Sequence, residues 1–111
     1  MNLNRSEIFE ILEKFAISKG LDFVAVYGSF HYGTQTPNSD IDILIDSSRI
    51  ITYDELDEWA NELEKSTGRK IDLITARLMI SSLLCGHVWR LKDYTVIHGE
   101  PYVVNKEELL S

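Results

Sequence analysis

The segment Asp40-Ile41-Asp42-Ile43-Leu44-Ile45-Asp46 limits the possible folds of this chain more than any other. Side chains on a strand alternate between two faces, so Ile41, Ile43 and Ile45 share one face and Asp40, Asp42 and Leu44 the other. A strand with one wholly aliphatic face needs a dry layer to cover it, and its opposite face holds carboxylates where apolar residues would be cheaper to bury. Two further runs read as strands. Phe23 to Tyr27 is short, apolar and β-rich, and it ends at Gly28-Ser29. Lys70 to Thr75 is interrupted only by Asp72, which lies between Ile71 and Leu73.

Helices alternate with these strands. Asn4 and Glu7 form a capping box with Leu3 and Ile8 as its hydrophobic staple. Ile8, Ile11, Leu12 and Phe15 then recur at helical spacing and Gly20 follows as a cap, which predicts a helix over residues 4–19. Thr52 and Glu55 make a second box, with Ile51 and Leu56 as the staple. Leu56, Trp59, Ala60 and Leu63 give that helix its apolar stripe, and Gly68 closes it. Residues 78–96 read as mostly helical, with Ile80, Leu83, Leu84, Val88 and Leu91 on one side and Gly86 as a weak point. His98-Gly99-Glu100-Pro101 is a turn signal, and Tyr102 to Val104 reads as a last short strand. The pattern is α/β (α+β): a small sheet of three to four strands, with helices over one face.

Composition narrows the function classes. The 111 residues fit one small domain, and 11 Lys+Arg against 18 Asp+Glu leave a net charge of −7. That balance disfavours nucleic acid as a direct partner, because such binding relies on Lys and Arg displacing backbone counterions. Nucleotide binding stays open if metal ions supply positive charge locally. Cys85 is the single cysteine, too few for a disulfide or a Cys-rich zinc site, and points to a reducing, cytoplasmic setting. The residues from Met1 to Glu7 have no apolar run behind a basic flank, and no stretch approaches the length of a membrane span.

The chemistry-bearing residues are acids and a glycine-serine turn. Asp40 and Asp42 point the same way, about 7 Å apart along the strand. If the strand of Asp72 lies beside theirs, three carboxylates converge at a large electrostatic cost. Divalent cations would remove that cost, and hard oxygen ligands suit magnesium. An Asp-x-Asp alone is equally a solvated strand face. Gly28-Ser29 follows a strand where the chain turns tightly; glycine permits close backbone approach and serine offers a hydroxyl and an amide to a phosphate. The same dipeptide also fits an ordinary strand-to-loop turn. If Ser29 to Tyr32 starts a helical turn, its free amides would face the ligand, and Gly33 would let the chain leave it.

Read together, Gly28-Ser29, ten residues, then Asp40-Ile41-Asp42 give G-S-x(10)-D-x-D, with Ser39 directly before the pair and Asp72 in a later strand. In these residues the chain resembles the nucleotidyltransferase superfamily that includes DNA polymerase beta and kanamycin nucleotidyltransferase. It is most similar to the minimal MNT group, antitoxins of HEPN/MNT toxin–antitoxin systems. The resemblance implies a nucleotidyltransferase palm, a small mixed β-sheet flanked by helices, as a single domain over 1–111. It implies that Asp40 and Asp42 bind two Mg2+ ions, and that Asp72 binds one of them and helps orient or deprotonate the acceptor. Gly28, Ser29, Gly33 and Ser39 would form the nucleotide-binding stretch, with Gly28 and Ser29 on the terminal phosphates of ATP. Many MNT proteins lie beside HEPN ribonuclease toxins, and the best-understood transfer AMP from ATP to a tyrosine of the toxin. The other readings are neutralisation of a toxin by binding alone, or nucleotidyl transfer to a small molecule or RNA end.

The chain departs from the family in one respect. Relatives often carry Arg soon after the Gly-Ser, whereas here the stretch is Phe30-His31-Tyr32-Gly33. His31 is a partial substitute, Phe30 packs under the turn, and Tyr32 is placed to stack on a base or to bond a phosphate. Arg69, Lys70 and Arg77 flank the strand of Asp72 and either contact phosphate or serve as surface charge. Asp46 reads as a strand end. His87 and His98 read as structural, Cys85 and Trp59 as core. Trp89 reads as an exposed interface residue, and the acidic run from Asp54 to Glu64 as a solvated helix face.

Overall fold

A computed structural model describes residues 3–83 and 86–102. The chain opens with helix α1 (Arg5–Ser18), strand β1 (Phe23–Tyr27) and the single turn α2 (Ser29–Tyr32). Strand β2 (Ile41–Asp46), helix α3 (Tyr53–Thr67) and strand β3 (Ile71–Thr75) follow. Two short helices, α4 (Ala76–Ser81) and α5 (Gly86–Leu91), then lead into β4 (Tyr94–Gly99).

Both long helices start where their capping boxes predict. The Asn4 side chain accepts from the Glu7 amide at 2.8 Å, and Glu7 Oε1 accepts from the Asn4 amide at 3.1 Å. Thr52 and Glu55 repeat the exchange at the head of α3, which Gly68 closes in the left-handed conformation at φ +71°.

The strands form one mixed sheet in the order β3-β2-β1-β4. β1 is antiparallel to both β2 and β4, and β2 is parallel to β3. The aliphatic face of β2 is completely buried. Ile41, Ile43 and Ile45 join Val24 and Val26 beneath Ile8, Leu12 and Phe15 of α1 and Leu56, Trp59 and Leu63 of α3. Phe15 and Trp59 meet edge to face at 5.8 Å across the two helices. The opposite face is also part-covered. There Phe23, Ala25, Tyr27 and Leu44 pack with Ala76 and Met79 of α4, and Val88 and Trp89 of α5 close against them.

The C-terminal third differs from its sequence expectation. In place of one helix over 78–96, the chain is extended at Ser82 and resumes helix at the buried Gly86. It then turns at Lys92 with φ +55° and enters a strand. The physical reason is the outer edge of β1, all five residues of which are buried. That edge needs hydrogen-bonding partners that a helix could not supply. The β-prone run Tyr94-Thr95-Val96-Ile97 supplies them. His98-Gly99 therefore ends a strand, where the Gly99 backbone runs so close to the Asp22 carbonyl that no side chain fits. Tyr102 is helical, in place of the expected strand start, and residues 103–104 lie outside the described residues, as do Leu84 and Cys85. Trp89, expected to be exposed, is half-buried and stacked on Tyr94. Among the described residues no helix is long and apolar enough to cross a membrane.

Ile43 lies fully buried in a central strand, so Ile43→Ala is expected to lower the unfolding free energy by about 2–5 kcal/mol, and Ile43→Val by about 0.5–1.5 kcal/mol. Urea denaturation measures both.

Candidate active site

The pairing of β2 with β3 sets Asp42 directly beside Asp72, and the pairing of β2 with β1 sets Tyr27 on the other side of Asp42. Tyr94 of β4 continues the line beyond Tyr27. Directly paired residues share a face, so Asp72, Asp42, Tyr27 and Tyr94 form one row across the sheet, on the face opposite the isoleucines. Asp40 lies immediately before β2 and is exposed. Asp42 is half-buried. Burial first, then the charges of Asp72 and Asp40, push its carboxyl up to about 6. Adjacent strands thus bring two of the three acids side by side, and Asp40 acts on Asp42 through its charge.

Gly28 crosses the row. Its backbone takes φ +63° and ψ −142°, and a Cβ there would overlap the Asp42 carboxylate. The backbone conformation requires glycine, and the missing side chain lets the turn lie against the Asp42 carboxylate. The turn brings the head of α2 over Asp42. The amides of His31 and Tyr32 bond back to the Gly28 carbonyl at 3.0 and 3.1 Å, while those of Ser29 and Phe30 occupy positions that have no partner within a helix. Gly33, left-handed at φ +74°, lets the chain leave the turn. Phe30 is buried under it, as expected.

Several expected ligands are engaged elsewhere. The Ser39 hydroxyl is turned into its own loop, accepting from the Thr36 amide at 2.8 Å. His31 Nδ1 lies 2.8 Å from Thr95 Oγ1 on β4, so it braces α2 and does not replace the missing arginine. Tyr32 is exposed, and its hydroxyl faces the Asp93 carboxylate; partial burial and then that charge hold it above the usual phenol range. Arg69 donates to the carbonyls of Thr36 and Ser39. Arg77 stands in α4, past the far end of β3 from Asp72. Asp46 ends β2 but is buried, with Oδ1 accepting from the Ser47 amide at 2.9 Å. Arg5 carried no motif signal, yet its Nε donates to the Phe30 carbonyl at 2.9 Å and anchors α2 from behind.

Among the described residues no set of three or more His, Cys, Asp or Glu side chains closes into a ready-made metal cage. The row does offer adjacent carboxylates with a third in electrostatic range. It is an all-oxygen donor set suited to a hard cation that takes its other ligands from water and phosphate. Such a cation would relieve the repulsion that adds to burial in raising the Asp42 carboxyl.

Acids on adjacent strands, beneath a glycine turn that starts a helix, suit a displacement at phosphorus. The fold is that of a nucleotidyltransferase. The family described as "Polymerase beta, Nucleotidyltransferase" matches residues 7–96, and the chain belongs to that family. A Methanocaldococcus jannaschii protein assigned as a protein adenylyltransferase is 41% identical in an alignment 78 positions long that covers 65% of this chain and 78% of the relative. A crystal structure of a toxin–antitoxin with AMP-PNP aligns with TM-score 0.65 at 29% identity, covering 88% of this chain and 75% of that one. A tri-AMPylated Shewanella oneidensis HEPN toxin in complex with MNT antitoxin aligns with TM-score 0.68 over 96% of this chain and 79% of that one; at 17% identity it shows the shared fold.

The Asp42 shift has a consequence for stability. A carboxyl titrating near 6 in the folded chain and near 3.8 when unfolded keeps more protons folded than unfolded across that window. Stability therefore falls as pH rises through it, and the deficit persists above it. With chelator present, Asp42→Asn is expected to melt at a higher temperature than wild type at pH 7, with the gap closing near pH 4. A gap that does not change with pH would contradict the assignment.

Proposed function

We propose that this chain is a magnesium-dependent protein adenylyltransferase of antitoxin type. It would move AMP from ATP to a tyrosine hydroxyl of a HEPN-type ribonuclease partner in the cytoplasm. The observation that carries the reading is the in-register pair Asp42 and Asp72, with the Gly28 backbone laid over Asp42. The relative assigned as a protein adenylyltransferase and the AMP-PNP complex support ATP as the donor. The complex holding an AMPylated HEPN toxin supports the class of partner.

In this reading the amides that open α2 receive the outer phosphates of ATP. Asp40, Asp42 and Asp72 would hold Mg2+, which when bound supplies the positive charge that neutralises the acids and the triphosphate. The acceptor oxygen attacks the α-phosphorus and pyrophosphate leaves. Asp72 stands on the edge strand and is exposed, so it is the carboxylate best placed to orient the acceptor hydroxyl and take its proton.

The test is to purify the chain with the product of its neighbouring gene, add labelled ATP and Mg2+, and follow label on the partner. Wild type is expected to label and silence the partner. Asp42→Asn is expected to bind it still while transfer falls about 100-fold or more, the scale of several kcal/mol of lost transition-state stabilisation. Neutralisation by Asp42→Asn equal to wild type, with no label under any condition, would instead establish an antitoxin that works by binding alone.

A further inference from the structure

One side chain outside the acid row reaches two of the segments that build the site. Arg69 sits between the Gly68 cap of α3 and the start of β3 at Ile71. Its Nη1 donates to the Thr36 carbonyl at 2.7 Å and to the Ser39 carbonyl at 2.9 Å. Ser39 is the residue before Asp40. The same guanidinium lies 5.2 Å from the centre of the Phe30 ring, within α2 and two residues after Gly28. Next to Arg69, the Lys70 carbonyl accepts from the Ile41 amide at 2.9 Å, the first rung between β2 and β3.

We infer that Arg69 is a positioning residue, which clamps the loop over residues 33–39 and so fixes Asp40 against the Asp42–Asp72 pair. The physical case rests on what the loop lacks. Its residues are mainly small or polar and it bears no regular structure. The bonds between Thr36 and Ser39, from the Ser39 amide to the Thr36 carbonyl at 3.0 Å and from the Thr36 amide to the Ser39 hydroxyl at 2.8 Å, close a turn within the loop, whereas Arg69 ties that turn to the start of β3. Asp40 has no place in the β2 ladder, so its carboxylate is only as well placed as that loop. It must also resist repulsion from its neighbours, which tends to swing it outward. A guanidinium can do this because it carries several donors on a rigid, weakly hydrated fork: one nitrogen bridges two carbonyls while the charged group stays over an aromatic ring. A lysine ammonium is a compact, strongly hydrated charge and cannot hold both carbonyls and the ring contact from one position.

The inference takes the acid row as a cation site, as the proposed function does, and its test separates the two. Arg69→Lys and Arg69→Gln are made in the full chain and examined by Mn2+ titration, by amide hydrogen exchange and, with the partner present, by adenylyl transfer. Both variants are expected to bind Mn2+ about 10-fold more weakly. Exchange is expected to speed up over residues 33–40 while the core of β1 and β2 stays protected. In the transfer assay kcat is expected to fall about 10-fold, with KM for ATP within about twofold, because Arg5 and His31 still hold α2 in place. Wild-type Mn2+ affinity and loop protection in both variants would overturn the inference, as would faster exchange spread over the whole sheet. A wild-type chain that binds Mn2+ and responds to Arg69 substitution as stated, yet transfers no AMP, would sink the proposed function and leave the clamp standing. A wild type that binds no Mn2+ would overturn both.

Discussion

The parallel ladder between β2 and β3 is the constraint on which everything else rests. It places Asp42 and Asp72 opposite each other, on strands that a sheet holds about 4.8 Å apart. No side-chain rearrangement can separate the two acids fully while the backbone register stands. Like charges in direct register work against folding, and the half-buried carboxyl of Asp42 registers the cost. The opposite face of the same strand offsets it: Ile41, Ile43 and Ile45 are fully buried, and each contributes on the order of 1.5–3 kcal/mol. The alternation of residues 40–46 is thus one device with two faces, one holding the strand in place and the other using that hold to keep acids together.

A parallel pair cannot be closed by a tight turn; it needs a crossover, which here is α3. The length and docking of α3 therefore decide which residue of β3 lies beside Asp42. Its start is fixed by the Thr52–Glu55 box, and Arg49 grips the Glu55 carboxylate through two bonds of 3.0 and 2.8 Å. That grip, followed by the bond from the Thr52 backbone, holds the Glu55 carboxyl down to about 2. Arg49 also covers Trp59, which is buried against Phe15 of α1. At the other end Gly68 stops the helix and Arg69 turns to the loop before Asp40. A slip of one residue in β3 would turn Asp72 to the isoleucine face and Ile71 to the acids, so burial and site geometry select the same register.

Much of this is legible in the sequence, for reasons that are local. The capping boxes, the apolar stripes and the alternation of residues 40–46 each depend on neighbours within one or two turns, and they appear in the structure where the pattern puts them. The acid row is legible one step further, because an aspartate inside an apolar strand is costly enough to require a reason. What the sequence conceals is non-local. β4 is a strand because β1 has an open edge, yet the apolar stripe from Ile80 to Leu91 marks neither the break at Ser82 nor the stop after Leu91. The need for glycine at position 28 is visible, but the carboxylate of Asp42 that its bare backbone lies against belongs to another strand. The bonds of Arg5 and Arg69 end on backbone carbonyls, which every residue type offers, so no motif can mark them.

Those two arginines also bear on the missing cation after the Gly-Ser turn. Arg5 holds the carbonyl of Phe30, and Arg69 lies over its ring. His31 ties the same short helix to Thr95 of β4. A single helical turn is marginal by itself, and here it is fixed from three sides by contacts directed away from the acids. The chain therefore uses its cations behind the turn, where they set the direction of the α2 amides. In front it presents backbone amides and carboxylates. An arginine placed there would meet phosphate directly, but it would also pair with Asp40 or Asp42 and compete with a metal ion for them. With none there, the charge that a triphosphate demands would, under the proposed function, come with the cation, and nucleotide binding would depend on metal binding more tightly than with a front-facing arginine.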